Sequence, residues 1–540
     1  MPIPAARIRA YHEVTKHHPR QYAPGPGRLD WINQPDPFRR FQGAPAVRLP
    51  LAADSLTTGY ADLYRPGAVP ACPLDGEHVA ILLELSLGLS AWKSHGGSTW
   101  ALRCNPSSGN LHPTEGYVVC PALPGLDDGV WHYVAESHTL ERRARPGAPG
   151  WSARFPAGGV LVGLSSIHWR EAWKYGARAY RYCQHDAGHA MAAVRYAAAA
   201  LGWQARLLDG WDDDALAALL GLDREADFED AEDEAPDALL WVGPGRAAPL
   251  PGDLLPGLAD ACWQGRANRL SASHVHWSQI AAAEAAALKL EPGANARRAP
   301  PARPPLAAPA GNPNAAGLIR QRRSAVAFDG VTGLSSDAFY RMLDTLLPRE
   351  GTAPWDMLPW APRVHPVLFV HRVDGIAPGL YVLAREDAAL PALRRAMREE
   401  WLWHPVPGCP AHIPLRLLAS LDVRDSAQLI CCHQEIAADS AFAVGMLAAF
   451  GVALEAAPWW YRRLHWEAGV LGQVLYLEAE AAGVRATGIG CFFDDEMHRL
   501  LGLRDDAWQT VYHFTVGGAV DDPRLSTLPP YAHLDPGNSR

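Results

Sequence analysis

The fold of this chain is decided by residues 180–222, YRYCQHDAGHAMAAVRYAAAALGWQARLLDGWDDDALAALLGL. Residues 461–503, YRRLHWEAGVLGQVLYLEAEAAGVRATGIGCFFDDEMHRLLGL, repeat that segment without a gap. Fourteen of the 43 paired positions are identical, whereas average residue usage would give roughly three by chance. The identities include the pairs Ala187-Gly188 and Ala468-Gly469. We infer two copies of one domain, which we expect to pack against each other as an internal dimer.

The region between the copies has a different composition from the rest. Residues 291–317 are rich in Pro, Ala and Arg, a composition typical of an extended, semi-rigid spacer. The 540 residues are too many for one hydrophobic core. We therefore predict a first domain over 1–290, a linker over 291–317 and a second domain over 318–540.

The secondary structure expected within the copies is mixed. Residues 180–200 and 461–481 are rich in helix formers, and Gly202 and Gly483 follow them as helix-ending residues. β-branched and aromatic residues predict strands at 115–120, 239–242, 367–370 and 511–516. The apolar run 441–454 is too short to span a bilayer and is interpreted as a buried helix. Helices interspersed with a few strands favour an α+β fold.

Composition excludes several classes of function. A net charge of −9 and a pI near 6.2 give no basic surface for nucleic acid or an anionic membrane. Nine irregularly spaced cysteines indicate reduced thiols, and residues 1–13 contain no apolar signal-peptide core. We expect a cytoplasmic protein.

Two groups of residues could imitate a metal site. His185 and His189 have helical metal-ligand spacing, but a third ligand is missing, and we expect a solvated His185 and a packed His189. The second group is irregularly spaced within Pro-rich sequence and consists of His404, Cys409, His412, Cys431, Cys432 and His433. We predict no metal.

A second, weaker register, with an offset of 253, relates residues 106–113 to residues 359–366. Both segments keep a Pro and a His-Pro frame, but only the first copy has the centre Ser-Ser-Gly-Asn. Small polar residues let backbone N–H groups and hydroxyls approach a ligand closely. An ordinary turn is the alternative interpretation.

The second copy has complementary features. Residues 320–324, Arg-Gln-Arg-Arg-Ser, suit a phosphate because guanidinium groups form charge-assisted, bidentate hydrogen bonds. The same copy has Gly488-Ile489-Gly490 where the first has Leu207-Leu208-Asp209. A solvated helix start and a simple turn are the alternatives. Together the features predict one pocket built from both copies, with its symmetry-related counterpart lost.

These residues resemble a known family. Three sets in the first copy, Arg103 to Glu115, Trp173-Lys174-Tyr175-Gly176 with Tyr180-Arg181-Tyr182, and Gly188-His189, look like the flavin-dependent nitroreductase superfamily. In the second copy, Arg322-Arg323-Ser324, His365-Pro366, Gly488-Ile489-Gly490 and Arg524 are similar to the same superfamily's elements. The branch that these residues resemble most is that of the thiazole- and oxazole-forming azoline dehydrogenases.

The resemblance implies a fold, a cofactor and residue roles. It implies two nitroreductase-like domains, each a mixed or antiparallel sheet flanked by helices, with one FMN between them. The implied cofactor-binding residues are Arg103, Pro106, Ser107, Ser108, Asn110, Arg322, Arg323, Ser324, Gly488, Ile489, Gly490 and Arg524. Arg524 would close on the phosphate, and Lys174 with Tyr175 would remove a proton from the substrate.

Three functions remain open from the sequence. The first is an FMN-dependent oxidoreductase that oxidises a small or peptide-derived substrate by hydride transfer to flavin N5. The second is an NAD(P)H-dependent nitro or quinone reductase, in which the nicotinamide would share the flavin pocket because no separate dinucleotide motif is present. The third is a flavin-free scaffold or binding protein within a biosynthetic complex. The pseudo-dimer could be complete as a monomeric chain.

Overall fold

A computed structural model describes residues 4–147, 150–155, 158–245, 254–291, 293 and 299–534. The helices are α1 Pro4–Val14, α2 Gly76–Ser86, α3 His168–Tyr175, α4 Ala179–Ala200, α5 Asp213–Leu220, α6 Ser278–Ala286, α7 Ala315–Gln321, α8 Ser336–Thr345, α9 Ala389–Ala396, α10 Arg424–Ile430, α11 Glu435–Asp439, α12 Phe450–Ala456, α13 Trp460–Ala481 and α14 Asp494–Leu501. The strands of the first half are β1 Phe41–Gln42, β2 Ala46–Arg48, β3 Leu89–His95, β4 Ser98–Arg103, β5 Thr114–Cys120, β6 Gly129–Val134, β7 Thr139–Arg145, β8 Val160–Ser166, β9 Gln204–Leu207, β10 Ala235–Gly243, β11 Cys262–Trp263 and β12 Arg266–Ala267. Those of the second half are β13 Val364–Val370, β14 Gly379–Leu383, β15 His404–Pro405, β16 Leu415–Ser420, β17 Phe442–Ala448, β18 Arg485–Ile489, β19 Gln509–Gly517 and β20 Ser526–Leu528.

The two halves contain sheets of the same topology. In the first half six strands run in the order β7-β6-β5-β8-β10-β9, and in the second half six run in the order β16-β14-β13-β17-β19-β18. Every pair of neighbours along both orders is antiparallel. Helices flank both sheets, so the expected α+β class is confirmed, and the repeat seen in the sequence is a repeat of structure.

Helices α4 and α13 pack against each other at the centre of the molecule, because each carries a glycine where the two backbones meet. A Cβ added at Gly188 would lie 2.2 Å from the Trp466 carbonyl oxygen, and one added at Gly469 would lie 2.2 Å from the His185 carbonyl oxygen. Only a residue without a side chain permits this approach. The Ala-Gly pairs of the repeat are therefore the contact that joins the halves.

Elements of each half also reach into the other. Strand β20 pairs with β3 of the first half and makes a three-stranded sheet with the β3–β4 hairpin. From the first half, His12 at the end of α1 bonds through its Nε2 to the Gln509 side chain at 3.1 Å. One hydrophobic cluster accordingly contains residues of both halves.

Most predicted elements are confirmed, and one is wrong. The two long helices and the four strands lie where the sequence placed them, and Gly202 and Gly483 follow the helices with positive φ. Residues 441–454, however, form a central strand, β17, and then the start of the short helix α12. A continuous apolar run fits a strand buried on both faces as well as it fits a buried helix.

The linker falls partly outside the described residues, which omit 292 and 294–298. Residues 299–313 are described and contain neither helix nor strand. Within the described residues, every helix is too short or too polar to cross a lipid bilayer. The domain boundaries stay a prediction.

Candidate functional site

A cavity of about 850 Å³ lies between the two halves, within the size range of small-molecule sites. The first half contributes the β3–β4 hairpin, the loop 106–110 and the α3–α4 region. The second half contributes residues 321–326, the end of β18 and residues between 519 and 527. Neither copy could enclose this cavity alone.

Most of the predicted site residues line this cavity. They are Arg103, Pro106, Ser107, Ser108, Asn110, Tyr175, Arg322, Arg323, Ser324, Gly488, Ile489 and Gly490. Lys174 lies just behind the wall, half-buried, with its Nζ 5.3 Å from the centre of the Tyr175 ring. Arg524 does not line it, since its exposed guanidinium pairs with Asp522 at 2.7 Å. The structure thus brings together all but one of the residues proposed to hold the cofactor.

The loop of the first copy is held by a buried carboxylate. The Ser108 backbone N–H donates to Asp186 Oδ1 at 3.1 Å, and the Ser108 hydroxyl donates to the same oxygen at 3.3 Å. Gly109 and Asn110 both have φ near +60°. A Cβ at Gly109 would lie 2.6 Å from the Tyr175 hydroxyl, so this turn requires glycine both for its backbone and for the close approach.

One end of the cavity is cationic. The Arg323 guanidinium donates to the backbone carbonyls of Arg320, Arg322 and Ser90. Burial, and then the charge of Arg322, lower the pKa of Arg323 to about 10. Lys93 donates to the Thr527 hydroxyl at 2.6 Å, and burial followed by Arg323 and Arg485 lowers its pKa as well. Positive groups that lower one another's pKa attract an anion to this end.

A second wall is formed by the glycine-containing end of β18. A Cβ at Gly488 would lie 1.9 Å from the Tyr512 hydroxyl, and one at Gly490 would lie 2.3 Å from the Tyr182 ring. The Gly488 N–H donates to the Tyr476 hydroxyl at 3.1 Å. Backbone and aromatic rings in close contact give a flat surface suited to a planar ligand.

Two buried carboxyl groups stand next to the catalytic candidates. Asp186 lines the cavity, and burial raises its pKa to about 7. Burial, and then the neighbouring Asp186, raise the pKa of Glu171 well above its usual range. The Ser107 hydroxyl donates to Glu171 Oε1 at 3.4 Å. This pair can hold a proton at neutral pH, at the wall where Tyr175 lies.

Several lining residues were missed by the sequence analysis. They are Lys93, Glu171 just behind the wall, Tyr182, Asp186, Tyr476, Arg485 and Tyr512. Tyr182 had a signal, because the repeat pairs it with Arg463. His189 also lines the cavity, and His185, expected to be solvated, is buried and bonds to the Val511 carbonyl oxygen at 2.9 Å. That expectation was wrong because α4 is buried along its whole length between the two halves.

The pseudo-symmetric position is occupied by side chains. The repeat pairs Gly490 with Asp209 and Tyr182 with Arg463, and Asp209 and Arg463 form a buried ion pair. The Arg463 guanidinium lies 4.6 Å from the centre of the Trp360 ring, which takes the place of Ser107 in the weaker register. A smaller cavity of about 350 Å³ remains beside Trp360. On this side, the positions of Gly490 and Tyr182 are thus taken by the ion pair of Asp209 and Arg463, and the position of Ser107 is taken by the Trp360 side chain.

Comparison with known proteins gives the same fold. The sequence profile of the nitroreductase family matches residues 99–230 and 426–518, one segment in each copy. The crystal structure of a protein from Anabaena variabilis, provisionally described as a nitroreductase, is similar with a TM-score of 0.67 and 22% identity over 95% of this chain and 99% of that one. These findings confirm the resemblance to the nitroreductase superfamily and its fold.

Other solved structures match one part of the chain. The Escherichia coli microcin synthetase McbBCD complex with truncated pro-MccB17 gives a TM-score of 0.26 and 19% identity over 45% of this chain and 94% of that one. A protein of Exiguobacterium sibiricum, provisionally described as a nitroreductase and solved in complex with FMN, gives 0.22 and 13% over 38% and 87%. No curated protein sequence matches the chain.

Proposed function

We propose that this chain binds one FMN in the cavity between its halves and acts as a flavin-dependent oxidoreductase. The observation that carries the proposal is that eleven of the twelve predicted cofactor residues, drawn from both copies, line one cavity. The nitroreductase profile match in both copies supports the same class of protein.

The chemistry of the cavity fits FMN. The phosphate would lie at the cationic end, where Arg322, Arg323, Ser324 and Lys93 converge. Arg322 is buried, and its Nε has no hydrogen-bond partner within the described part of the chain. An unpaired buried donor is costly unless a ligand or water satisfies it. The flat wall at Gly488–Gly490 would accommodate the planar ring system.

Bound FMN would supply hydride acceptance or donation at N5. The protein's own residues would then position the substrate and move its proton. Burial, and then Glu171, raise the pKa of Tyr175 well above its usual range, so its hydroxyl stays protonated and donates a hydrogen bond. Lys174 lies beside this hydroxyl and would accept the substrate proton, with the Glu171–Asp186 pair as the adjoining proton reservoir.

The substrate we propose is a small or peptide-derived molecule that loses a hydride and a proton. The cavity volume of about 850 Å³ lies toward the upper end of the range of small-molecule sites, so a small substrate could share the cavity with the cofactor. A nicotinamide donor would have to enter the same space. Steady-state assays decide the direction: NAD(P)H consumption with a nitro or quinone acceptor would identify a reductase, and its absence with a reducible bound flavin would favour a dehydrogenase.

The decisive measurement is the flavin-to-polypeptide ratio of the purified, FMN-reconstituted protein. We expect a ratio of one, and weakened FMN retention in both Arg322→Ala and Ser107→Ala, although the two residues lie in different halves. Arg424→Ala is the matched control, because Arg424 is an exposed arginine paired with Asp422. A ratio of two, a protein that takes up no flavin, or a variant that retains FMN as the wild type does would contradict the proposal.

A further inference from the structure

Two cysteines meet at the edge of the cavity, outside the groups used so far. Cys491 directly follows Gly490 and lines the cavity, and its Sγ lies 3.0 Å from Cys432 Sγ. The two thiols come from loops 59 positions apart, and both are partly accessible. Sequence spacing gave no reason to pair them.

The loop that carries Cys432 has an unusual backbone. Cys432 has φ +55° and His433 has φ +61°, and each non-glycine residue in the left-handed region costs roughly 1 kcal/mol or more. Gln434 follows and donates from Nε2 to the Cys491 carbonyl oxygen at 3.1 Å and to the Cys431 carbonyl oxygen at 2.8 Å. This amide joins the two loops and keeps the thiols opposed.

The surroundings make the two thiols unequal. The hydrogen bond with Cys432, together with His17 and Arg178 and against the effect of burial, lowers the pKa of Cys491 to about 5. The same contact and burial raise the pKa of Cys432. The other titratable groups that face the pair within the described residues are Tyr22, Tyr175, Tyr182 and Cys431. A partly accessible thiolate beside a protonated thiol is the arrangement of a nucleophilic cysteine with its resolving partner.

A metal does not account for this arrangement. Among the residues that the structure describes, no three His, Cys, Asp or Glu side chains are placed to hold a metal ion together. The two thiols therefore face each other without a third metal ligand. Their contact instead suits the formation of a disulfide bond.

We propose that Cys491 and Cys432 form a redox-active pair that exchanges with small disulfides entering through the cavity. The Cys491 thiolate attacks one sulfur of the small disulfide, whose S–S bond breaks and releases a thiolate. That thiolate takes the proton of Cys432, and the Cys432 sulfur then attacks Cys491 Sγ and expels the second thiolate. The protein loses two electrons and gains a disulfide, while the small disulfide becomes one thiol and one thiolate, which takes its proton from solvent.

The test uses the full chain, with glutathione disulfide as the oxidant and no flavin readout. The protein is equilibrated in mixtures of reduced and oxidised glutathione, alkylated and digested, and the peptides are identified by mass. We expect a linked pair of peptides containing Cys432 and Cys491, and in Cys432→Ser a stable mixed disulfide between glutathione and Cys491. Cys262→Ser is the control, because Cys262 is an exposed cysteine whose removal should leave the linked pair unchanged.

The rate of cysteine alkylation provides a second, independent test of the proposal. Alkylation of Cys491 by iodoacetamide in the wild type should already be at its full rate near pH 6.5, whereas the free amino acid cysteine, assayed in parallel, reacts faster as the pH rises through about 8.5. The proposal is overturned if Cys491 follows the pH dependence of free cysteine. It is equally overturned if the Cys432 and Cys491 peptides stay unlinked at every glutathione ratio at which Cys262 becomes glutathionylated.

Discussion

Replacing Asp186 with Asn tests whether the cavity wall stores a proton. In the folded chain burial raises the pKa of Asp186 from an ordinary value of 3.8 to about 7. The folded state therefore keeps a proton that the unfolded state releases above about pH 4, so the contribution of Asp186 to stability falls as pH rises from about 4 to about 7 and then levels off. Buried histidines whose pKa is lowered, such as His189 and His513, contribute in the opposite direction, so the contribution of Asp186 is measured as the difference between variant and wild type. A difference of about three pKa units corresponds to about 4 kcal/mol at most.

Asn is the right substitute because its side-chain oxygen can still accept the Ser108 N–H while the ionisable group is gone. The assay is the urea midpoint of the flavin-free protein at intervals between pH 4.5 and 8. We expect the midpoint of Asp186→Asn, taken relative to that of the wild type at the same pH, to rise as the pH increases from 4.5 to about 7. Burial and Asp186 also raise the pKa of Glu171, so the midpoint of the double variant with Glu171→Gln should rise further relative to the wild type than that of Asp186→Asn alone.

The control for this measurement is Asp422→Asn. Asp422 is exposed, and its pKa is held below the usual range by the Arg424 side chain and backbone N–H. Its contribution is lost only as pH falls below about 4, outside the window, so the pH dependence should stay that of the wild type. Parallel curves for Asp186→Asn and the wild type would refute the assignment of a stored proton to this carboxyl.

Three further outcomes follow from contacts described above. Gly188→Ala places a methyl group against the backbone of the facing central helix and should lower the melting temperature through a cost of about 1–3 kcal/mol or more; an unchanged transition in calorimetry would contradict the close approach. Gly490→Ala should weaken FMN binding in a fluorescence titration at least tenfold with little change in the far-UV circular dichroism, because its methyl group meets an aromatic ring of the cavity wall; wild-type affinity would count against this wall. Arg463→Met should destabilise the chain by about 1.5–3 kcal/mol, because it removes one of the two buried cations, Arg463 and Lys289, that pair with Asp209, yet leave the FMN ratio unchanged; loss of flavin would place Arg463 in the working site.

The internal repeat made much of this architecture predictable. A gapless match anchored by Gly188 and Gly469 predicts two equivalent long helices, and the structure shows that these glycines are where the helices touch. The loop 106–110 and residues 322–324 were predictable because each is present in one copy and absent from the other. Residues 441–454 were misassigned because burial on both faces removes the periodicity that separates a strand from a helix.

Other parts of the site could not be predicted from a single sequence. Lys93 reaches the cationic end only because β3 pairs with β20, a contact between residues more than 400 positions apart that no local pattern encodes. The family resemblance predicted that Arg524 contacts the phosphate. In the structure its guanidinium pairs with the neighbouring Asp522 and stays exposed to solvent. Asp186 lies on an otherwise ordinary helical face, and its importance comes from burial that the sequence does not display.

The pairing of β20 with β3, which closes the cavity wall, has a consequence for how the protein matures. Thr527 of β20 bonds to Lys93 at the cationic end, and β20 completes the sheet built on the β3–β4 hairpin. During synthesis the ribosome must therefore add more than 400 residues after Lys93 before this wall closes. Under the proposed function, a chain that lacks β20 has an incomplete cavity wall, so FMN would be loaded late in synthesis.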